Sequence, residues 1–271
     1  VLYSCGVDSS VLLKVVVKYR KVYHYNVTML YISFNDFIKA KEADNLAFKT
    51  AKEYKVNIKH SICDLNKLQT GIKKEARKCM KDIGFSEKFD LVLSGHHADD
   101  QLETVLFRLF RGTGIDGLKG MEYITEFSRE NEKRLFGKPF LEIRKSAIIE
   151  YAKLNNICFI EDDTNYNIKH SDRNYIRNII IPLIEYRFNL NSINTTIENV
   201  KRFLKEYNDK QTNLDIYSGE WNINDFINLS PGNRLFVLRE YFRVVHGYNF
   251  SRKIITEIRK KIEEDISNLH I

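Results

Sequence analysis

Apolar positions follow two rhythms over the first hundred residues. Val27–Phe34 reads as a buried strand, Val56–Cys63 as a further strand, and Leu91–Leu93 as a short apolar one. Between them lie longer stretches with apolar residues at helical spacing. Glu42–Tyr54 sets Ala43, Ala47, Ala51 and Tyr54 on one side, and Ile72–Ile83 reads as a helix carrying Arg77. At the start, Leu2-Tyr3 reads as the end of a strand. It runs into a small-residue turn, Ser4-Cys5-Gly6-Val7-Asp8-Ser9-Ser10, and a helix, Val11–Tyr19, apolar on nearly every side. Strands separated by helices of this length predict right-handed crossovers and an α/β, Rossmann-like parallel sheet with helices on both faces. Ligands of such sheets bind beyond the carboxyl ends of the strands, so the turns after Tyr3 and Leu93 are expected to share one site.

The second of those turns leads the most informative stretch, Leu91 to Met121. The strand breaks at Ser94-Gly95 into His96-His97, and a helix follows with Asp99 and Asp100 in its first turn, where carboxylates favour the positive end of the dipole. Leu102, Val105, Leu106 and Leu109 form its buried stripe, while Asp100, Glu103, Thr104, Phe107 and Arg111 gather on another face with Arg108 at its edge. Gly112, Gly114, Gly117 and Gly120 follow as a backbone that bends or approaches something closely. A solvated helix face would explain the charges alone; strand, turn, histidines, acids and arginines in one run point to a site. The Ser4–Ser10 turn has the parts of a phosphate cradle, with helix-start N–H groups and serine hydroxyls. Asp8 inside it makes sense as a holder of Mg²⁺ against phosphate charge. It is not the P-loop of kinases and GTPases, because the Gly-Lys-Ser/Thr ending is absent.

Past this region the pattern changes. Tyr123–Phe136 reads as a hairpin or flap, Arg144–Asn155 as a helix, Ile157–Ile160 as a short strand, and Asn165–Asp172 as a polar loop. Arg173 and Arg177 sit at i, i+4 on the next helix and invite phosphate. Asn191 to about Lys210 reads as a long amphipathic connector. The division expected is therefore 1–190 as the nucleotide domain, 191–218 as the connecting helix, and 219–271 as a small helical domain left open as truncated. Residues 232–262 hold 8 Lys/Arg against 2 Asp/Glu. Arg234, Arg239, Arg243, Arg252, Lys253 and Arg259 are expected to form a basic RNA-facing surface, and Tyr241, Phe242, Tyr248 and Phe250 to serve as core.

Composition narrows this only modestly. A hydrophobic share of 43% with 29% charged residues fits a globular protein, not a disordered one. No apolar run approaches the roughly 20 residues that span a bilayer. The net charge of +7 permits a polyanionic partner. Cys5, Cys63, Cys79 and Cys158 are scattered, with no CxxC pair or His/Cys ligand spacing, which favours a reducing compartment over a zinc or iron–sulfur site. A cytoplasmic location is expected. The sequence starts at Val1 already inside a motif, so preceding residues, and with them an organellar address, are left open.

Ser4-Cys5-Gly6-Val7-Asp8-Ser9 resembles the SGGxDS pyrophosphate loop of the N-type ATP pyrophosphatases. Gly95-His96-His97-Ala98-Asp99-Asp100-Gln101, followed by Glu103-Thr104, Arg108 and Arg111-Gly112, resembles the second signature of the tRNA(Ile)-lysidine synthetases. So do Lys138-Pro139-Phe140-Leu141-Glu142-Ile143-Arg144-Lys145 with Glu161-Asp162-Asp163-Thr164-Asn165, and Arg173-Asn174 with Ile176-Arg177-Asn178 and Ile181-Pro182-Leu183. The resemblance covers residues 1 to about 187. The first loop is widely shared; the other three motifs together are specific.

The resemblance implies a ligase that uses ATP to adenylate C2 of the wobble cytidine in a CAU-anticodon tRNA(Ile). Free L-lysine then attacks, leaving lysidine, AMP and pyrophosphate. It implies ATP contacts at Ser4, Cys5, Gly6, Val7, Asp8, Ser9, Gly95 and His96, and Mg²⁺ shared by Asp8 and Asp100. Catalytic roles fall on Asp8, Asp100, Glu103 and Arg77, and RNA contacts on Arg108, Arg111, Arg144, Arg173, Asn174 and Arg177. Glu103 is assigned to the lysine ammonium, because neutralising a free lysine at pH 7 costs about 4–5 kcal/mol. A homodimer is compatible with the family, and no membrane partner is expected.

Three positions depart from the family pattern. Cys5 stands at the first loop glycine, Asn35-Asp36 where the family has Asn-His, and Met80 where a second arginine is usual. Two other readings therefore stay open: a catalytically impaired tRNA-binding protein, and a tRNA thiolase on the same fold. The thiolase reading is disfavoured because such enzymes commonly rely on paired cysteines, which this sequence is expected to lack.

Overall fold

The computed structural model describes residues 1–34, 39–63, 72–129, 132–161, 171–211, 222–245, 247 and 252–268. Strand β1 (Leu2–Tyr3) feeds helix α1 (Val7–Tyr19); β2 (Thr28–Phe34), α2 (Ala40–Tyr54), β3 (Asn57–Cys63), α3 (Ile72–Phe85) and β4 (Leu91–Leu93) follow. β1, β2 and β3 form a parallel sheet in that order, with Leu2 opposite Leu30 and Thr28 to Phe34 opposite Asn57 to Cys63.

The middle strand shows why the apolar run is continuous. Met29, Leu30, Tyr31 and Ile32 are all buried, but alternate residues serve different cores. Met29 and Tyr31 pack with Val11, Leu12 and Leu13 of α1 and with Ala43, Ala47 and Ala51 of α2. Leu30 and Ile32 pack on the other face with Ile83 of α3, Val92 of β4 and Phe136. Alanine at every fourth position of α2 lets that helix lie close to the sheet.

The chain then departs from a simple parallel series. After α4 (Ala98–Phe110) and α5 (Ile115–Leu118), strands β5 (Ile124–Arg129) and β6 (Glu132–Gly137) make the antiparallel hairpin expected at Tyr123–Phe136. It is a sheet component and not a flap, because β6 pairs parallel with β4, Leu91 opposite Leu135, in a second sheet of order β4-β6-β5. Phe136 reaches the core shared with β2, and Phe127 packs edge-on against it.

Helix α6 (Lys145–Leu154) buries Ile148 and Ala152 in the core it shares with α1. Ile157–Ile160, expected as a strand, forms none. Instead its last residue is tied to the first turn, the Ile160 N–H donating to the Cys5 carbonyl at 2.8 Å. Helix α7 (Asp172–Tyr175) runs through a π-helical turn, Ile176–Ile180, into α8 (Ile181–Arg187). Ile176, Ile181 and Leu190 pack on Leu102 and Leu106 of α4, whereas Leu109, expected in the same buried stripe, is 51% exposed near the helix end.

The chain divides into two compact units, Val1–Val200 and Lys201–Ile271, with the division inside helix α9 (Asn191–Gln211). The second unit contains α10 (Ile223–Ile227), α11 (Pro231–Val244) and α12 (Arg252–Asn268) around Phe226, Val237, Leu238 and Ile255. Phe242 packs against this core, as expected, whereas Tyr248 and Phe250 lie outside the described residues. Among the described residues no helix is long and apolar enough to cross a membrane.

Candidate active site

Two turns meet at the carboxyl edge of the strands. In the first, Ser9 fixes the loop: its Oγ lies 3.1 Å from the Ser4 N–H, which donates to it, and itself donates to the Gly6 carbonyl at 2.9 Å. Ser10 N–H also donates to Gly6, at 3.0 Å. The serine hydroxyls thus shape the loop and leave the helix-start N–H groups of α1 as the donors that an anion at this edge would meet. Val7 is part of the core, so it contributes backbone only.

Cys5 has φ +62°, in the left-handed region where a side chain is strained, and it is almost wholly buried. Its Sγ donates to the Ala43 carbonyl at 3.2 Å. Burial pushes its thiol up to about 12, so it is protonated at neutral pH and is no nucleophile.

The second turn crosses the first at Gly95. A Cβ there would lie 3.0 Å from the backbone carbon of Asp8, tighter than an ordinary contact, so a side chain would force the two turns apart by a few tenths of an ångström. His96 is exposed and pairs with Ser94 Oγ at 2.9 Å.

His97, not singled out in the sequence, is the buried centre. Its Nε2 lies 3.7 Å from Asp8 Oδ1 and 3.5 Å from Asp100 Oδ2, and its Nδ1 lies 3.6 Å from Asp99 Oδ2. Nδ1 makes no hydrogen bond. Burial alone would lower the imidazolium, but the Asp99, Asp100 and Asp8 carboxylates outweigh it and the net shift is upward.

Three cations complete the cluster. Lys145, at the start of α6, donates to both carboxylate oxygens of Asp8 at 2.7 Å. The Lys145 N–H donates to Asp99 Oδ2 at 2.7 Å, and Arg144 reaches Asp99 Oδ1 and Glu185 Oε1, each at 2.9 Å. Burial by itself raises the Asp99 carboxyl; His97, the Lys145 N–H and Arg144 outweigh it and hold it at about 2. Arg177, on the π-helical turn, donates through Nε to Glu103 Oε1, through Nη2 to Glu103 Oε2 at 3.0 Å, and to Asp100 Oδ1 at 3.2 Å. Glu103 is 1% exposed. Burial pushes its carboxyl up and Arg177 pulls it back, leaving a net upward shift.

The expected RNA contacts separate. Arg177, set beside Arg173 by spacing, belongs to the carboxylate corner; Arg173 lies 5.4 Å from the Phe107 ring, one turn along α4. Arg111 also stacks on Phe107, 4.2 Å from its ring, and pairs with exposed Asp172 at 3.0 Å. Arg108 turns inward and donates to the Gly117 and Gly120 carbonyls at 3.0 and 2.9 Å, clamping the glycine-rich segment. Asn174 is buried and capped by Ser171. In the second unit Arg234 likewise turns back, onto the Leu229 and Ile227 carbonyls. The side chains of Arg77, Met80, Arg243, Arg252 and Lys253, the pair Asn35-Asp36 and residues 162–170 lie outside the described residues.

His97 and Lys145 are what sequence reasoning missed. The only signals were the His96-His97 doublet and the last position of the Lys138–Lys145 segment, and no charge pattern separates such a lysine from a solvated one. As to metal, Asp8 and Asp100 come from facing turns and converge on one imidazole nitrogen. Two hard carboxylates beside a phosphate cradle are a donor set that fits Mg²⁺.

A family model described as a PP-loop domain matches residues 1–184. The tRNA(Ile)-lysidine synthase of Francisella tularensis subsp. novicida is 37% identical over 190 residues, covering 68% of this chain and 45% of the relative. That of Buchnera aphidicola subsp. Schizaphis graminum is 32% identical over 246 residues, 85% and 52%. The chain thus spans about half the length of these curated relatives. Among solved structures, the U34-tRNA thiolase NcsA from Methanococcus maripaludis, with its 4Fe-4S cluster, aligns with TM-score 0.56 at 17% identity. It covers 75% of this chain and 70% of its own, a likeness of fold.

Proposed function

This chain belongs to the PP-loop domain family, and from that premise we propose that it modifies tRNA at the expense of ATP, as a ligase that converts the wobble cytidine of a CAU-anticodon tRNA(Ile) to lysidine. The observation that carries the reading is the convergence of Asp8, Asp100, Glu103, His97, Lys145 and Arg177 where the two turns cross. The identity with lysidine synthases over the same residues supports it.

The chemistry assigned to each group follows from its surroundings. N–H groups at the start of α1 receive the pyrophosphate that departs when the cytidine C2 oxygen attacks the α-phosphate. Asp8 and Asp100 would hold Mg²⁺, which supplies charge neutralisation on the phosphates. Lys145, already 2.7 Å from Asp8, adds a mobile positive charge at the same place. His97 ties Asp8 to Asp100 and keeps the two turns in register. Glu103 takes the ammonium of the incoming lysine: a carboxylate offers about four lone-pair sites, and Arg177 occupies two. Its upward shift makes it a stronger base for the proton that lysine must lose.

One assay tests this. Incubate the chain with ATP, Mg²⁺, labelled lysine and a CAU-anticodon tRNA, and follow AMP, pyrophosphate and label in RNA. Label incorporation with AMP and pyrophosphate release is expected; tRNA binding without nucleotide turnover would support the impaired-protein reading instead. The thiolase reading also gains a point, since Cys63 and Cys79, distant in sequence, bring their sulfurs together. A parallel arm with a sulfur donor in place of lysine discriminates it.

A further inference from the structure

The four cysteines look scattered in the sequence, yet two of them meet. Cys63 is the last residue of β3 and Cys79 lies midway along α3; their Sγ atoms are 2.6 Å apart. That is within about 0.6 Å of an S–S bond length of roughly 2.05 Å, so bridging them asks little of the backbone. Both are present as thiols. Cys63 is buried against Ile83 and Phe136, and Cys79 is partly exposed. Lys78 and Lys81, close to Cys79 along the helix, add positive charge that attracts an anionic small molecule. The other two cysteines sit elsewhere: Cys5 is sealed in the first turn, and Cys158 is exposed.

We propose that Cys63 and Cys79 form a reversible disulfide by exchange with a low-molecular-weight, anionic disulfide. The Cys79 thiolate attacks one sulfur of the small disulfide, whose S–S bond breaks; one small thiolate leaves with the electron pair and takes up a proton. Cys63, after losing its proton to solvent, attacks Cys79 Sγ in the mixed disulfide and expels the second small thiol. Two protein thiols are oxidised and one small disulfide is reduced to two thiols. The order follows from exposure, because Cys79 is reachable and Cys63 is not. The product fastens α3, the helix bearing Arg77, to the end of β3. Such reversible pairs are the kind of disulfide found in reducing compartments.

The proposal is independent of the reading of the active site and is tested on the full wild-type chain. Equilibrate it with mixtures of reduced and oxidised glutathione, block the remaining thiols, digest, and map by mass. A peptide pair linked through Cys63 and Cys79, at a yield unaffected by protein dilution, is expected to form while Cys5 remains a thiol. Cys63→Ser should leave Cys79 as the glutathione mixed disulfide, and Cys79→Ser should leave Cys63 a thiol. Far-ultraviolet circular dichroism establishes that each variant is folded. If the folded wild-type chain gives only separate mixed disulfides, or the same mixture of links as the chain in denaturant, the proposal is overturned.

Discussion

At the scale of single residues, the proposed function divides the work of the carboxylate corner between two groups. Asp100 faces Asp8 across His97, while Glu103 faces Arg177. Asp100→Asn is expected to abolish ATP-dependent pyrophosphate release. Glu103→Gln should spare that release and block transfer of lysine. Equal loss of both half-reactions in both variants, measured separately, would end this division of labour. Cys5 poses a different balance. Its left-handed backbone costs about 1–2 kcal/mol, which Cys5→Gly relieves. The same change forfeits about 0.8 kcal/mol for each buried carbon-sized group and about 0.5–1 kcal/mol of backbone entropy. These offset, so stability should change little while ATP affinity holds or rises; lost turnover in Cys5→Gly with activity kept in Cys5→Ser would reveal a role for the side chain. The thiol also has a pH signature. Its folded pKa, about 12 against an ordinary 9.0, lies above the unfolded value. Its contribution is therefore complete below pH 9 and lost as pH rises toward 12. A pH series of thermal melts should show a shallower alkaline decline in Cys5→Gly than in the wild-type chain.

Elements are joined at the site by close approach and by carboxylates, Asp99 among them. Gly95→Ala places a Cβ against the Asp8 backbone, which no side-chain rotation relieves. Overpacking of this kind costs about 1–3 kcal/mol. Expressed in the site, that weakens ATP binding by about 5- to 150-fold with the fold retained, which ATP titration beside circular dichroism would measure. Asp99 ties α4 to α6 through Arg144 and the Lys145 N–H. Its folded pKa, about 2 against 3.8, is depressed, so its contribution is complete above 3.8 and lost as pH falls through 2. Asp99→Asn should flatten the acid limb of a stability–pH curve in that window; an unchanged limb would mean that the α4–α6 junction draws its strength elsewhere.

For the whole molecule the question is where RNA is held. Arg173 and Arg111 both lie against the Phe107 ring outside the carboxylate corner, so they can be changed without touching ATP. Every arginine removed from an RNA phosphate should lower the salt slope of tRNA binding by about one unit. Exposed Asp172 pairs with Arg111; Asp172→Asn should release that arginine and tighten tRNA binding. Removing residues 219–271 is expected to weaken tRNA binding further while ATP binding stays, provided the first unit remains folded. Unchanged tRNA affinity across all of these, over a salt series, would place the RNA elsewhere.

Periodicity alone set the alternation of strands and helices, because which face of an element is apolar is written every two or every 3.6 residues. The two turns at the carboxyl edge followed from the same alternation, and local chemistry marked Asp8, Asp100 and Glu103. What pattern could not supply was partnership between segments far apart in sequence. Lys145 reaches Asp8 from α6, and Arg177 reaches Glu103 from a π-helical turn that shifts the register of an i, i+4 pair. Arg108 and Arg234 looked like surface cations and became clamps on backbone carbonyls. The hairpin looked detachable until β6 found β4. Cys63 and Cys79 had no motif to join them. In each case the local sequence defined a group's chemistry, and only the packed chain decided which opposite charge, carbonyl, strand or sulfur stood within reach. Those energies fall off over a few ångströms and take no account of distance along the chain.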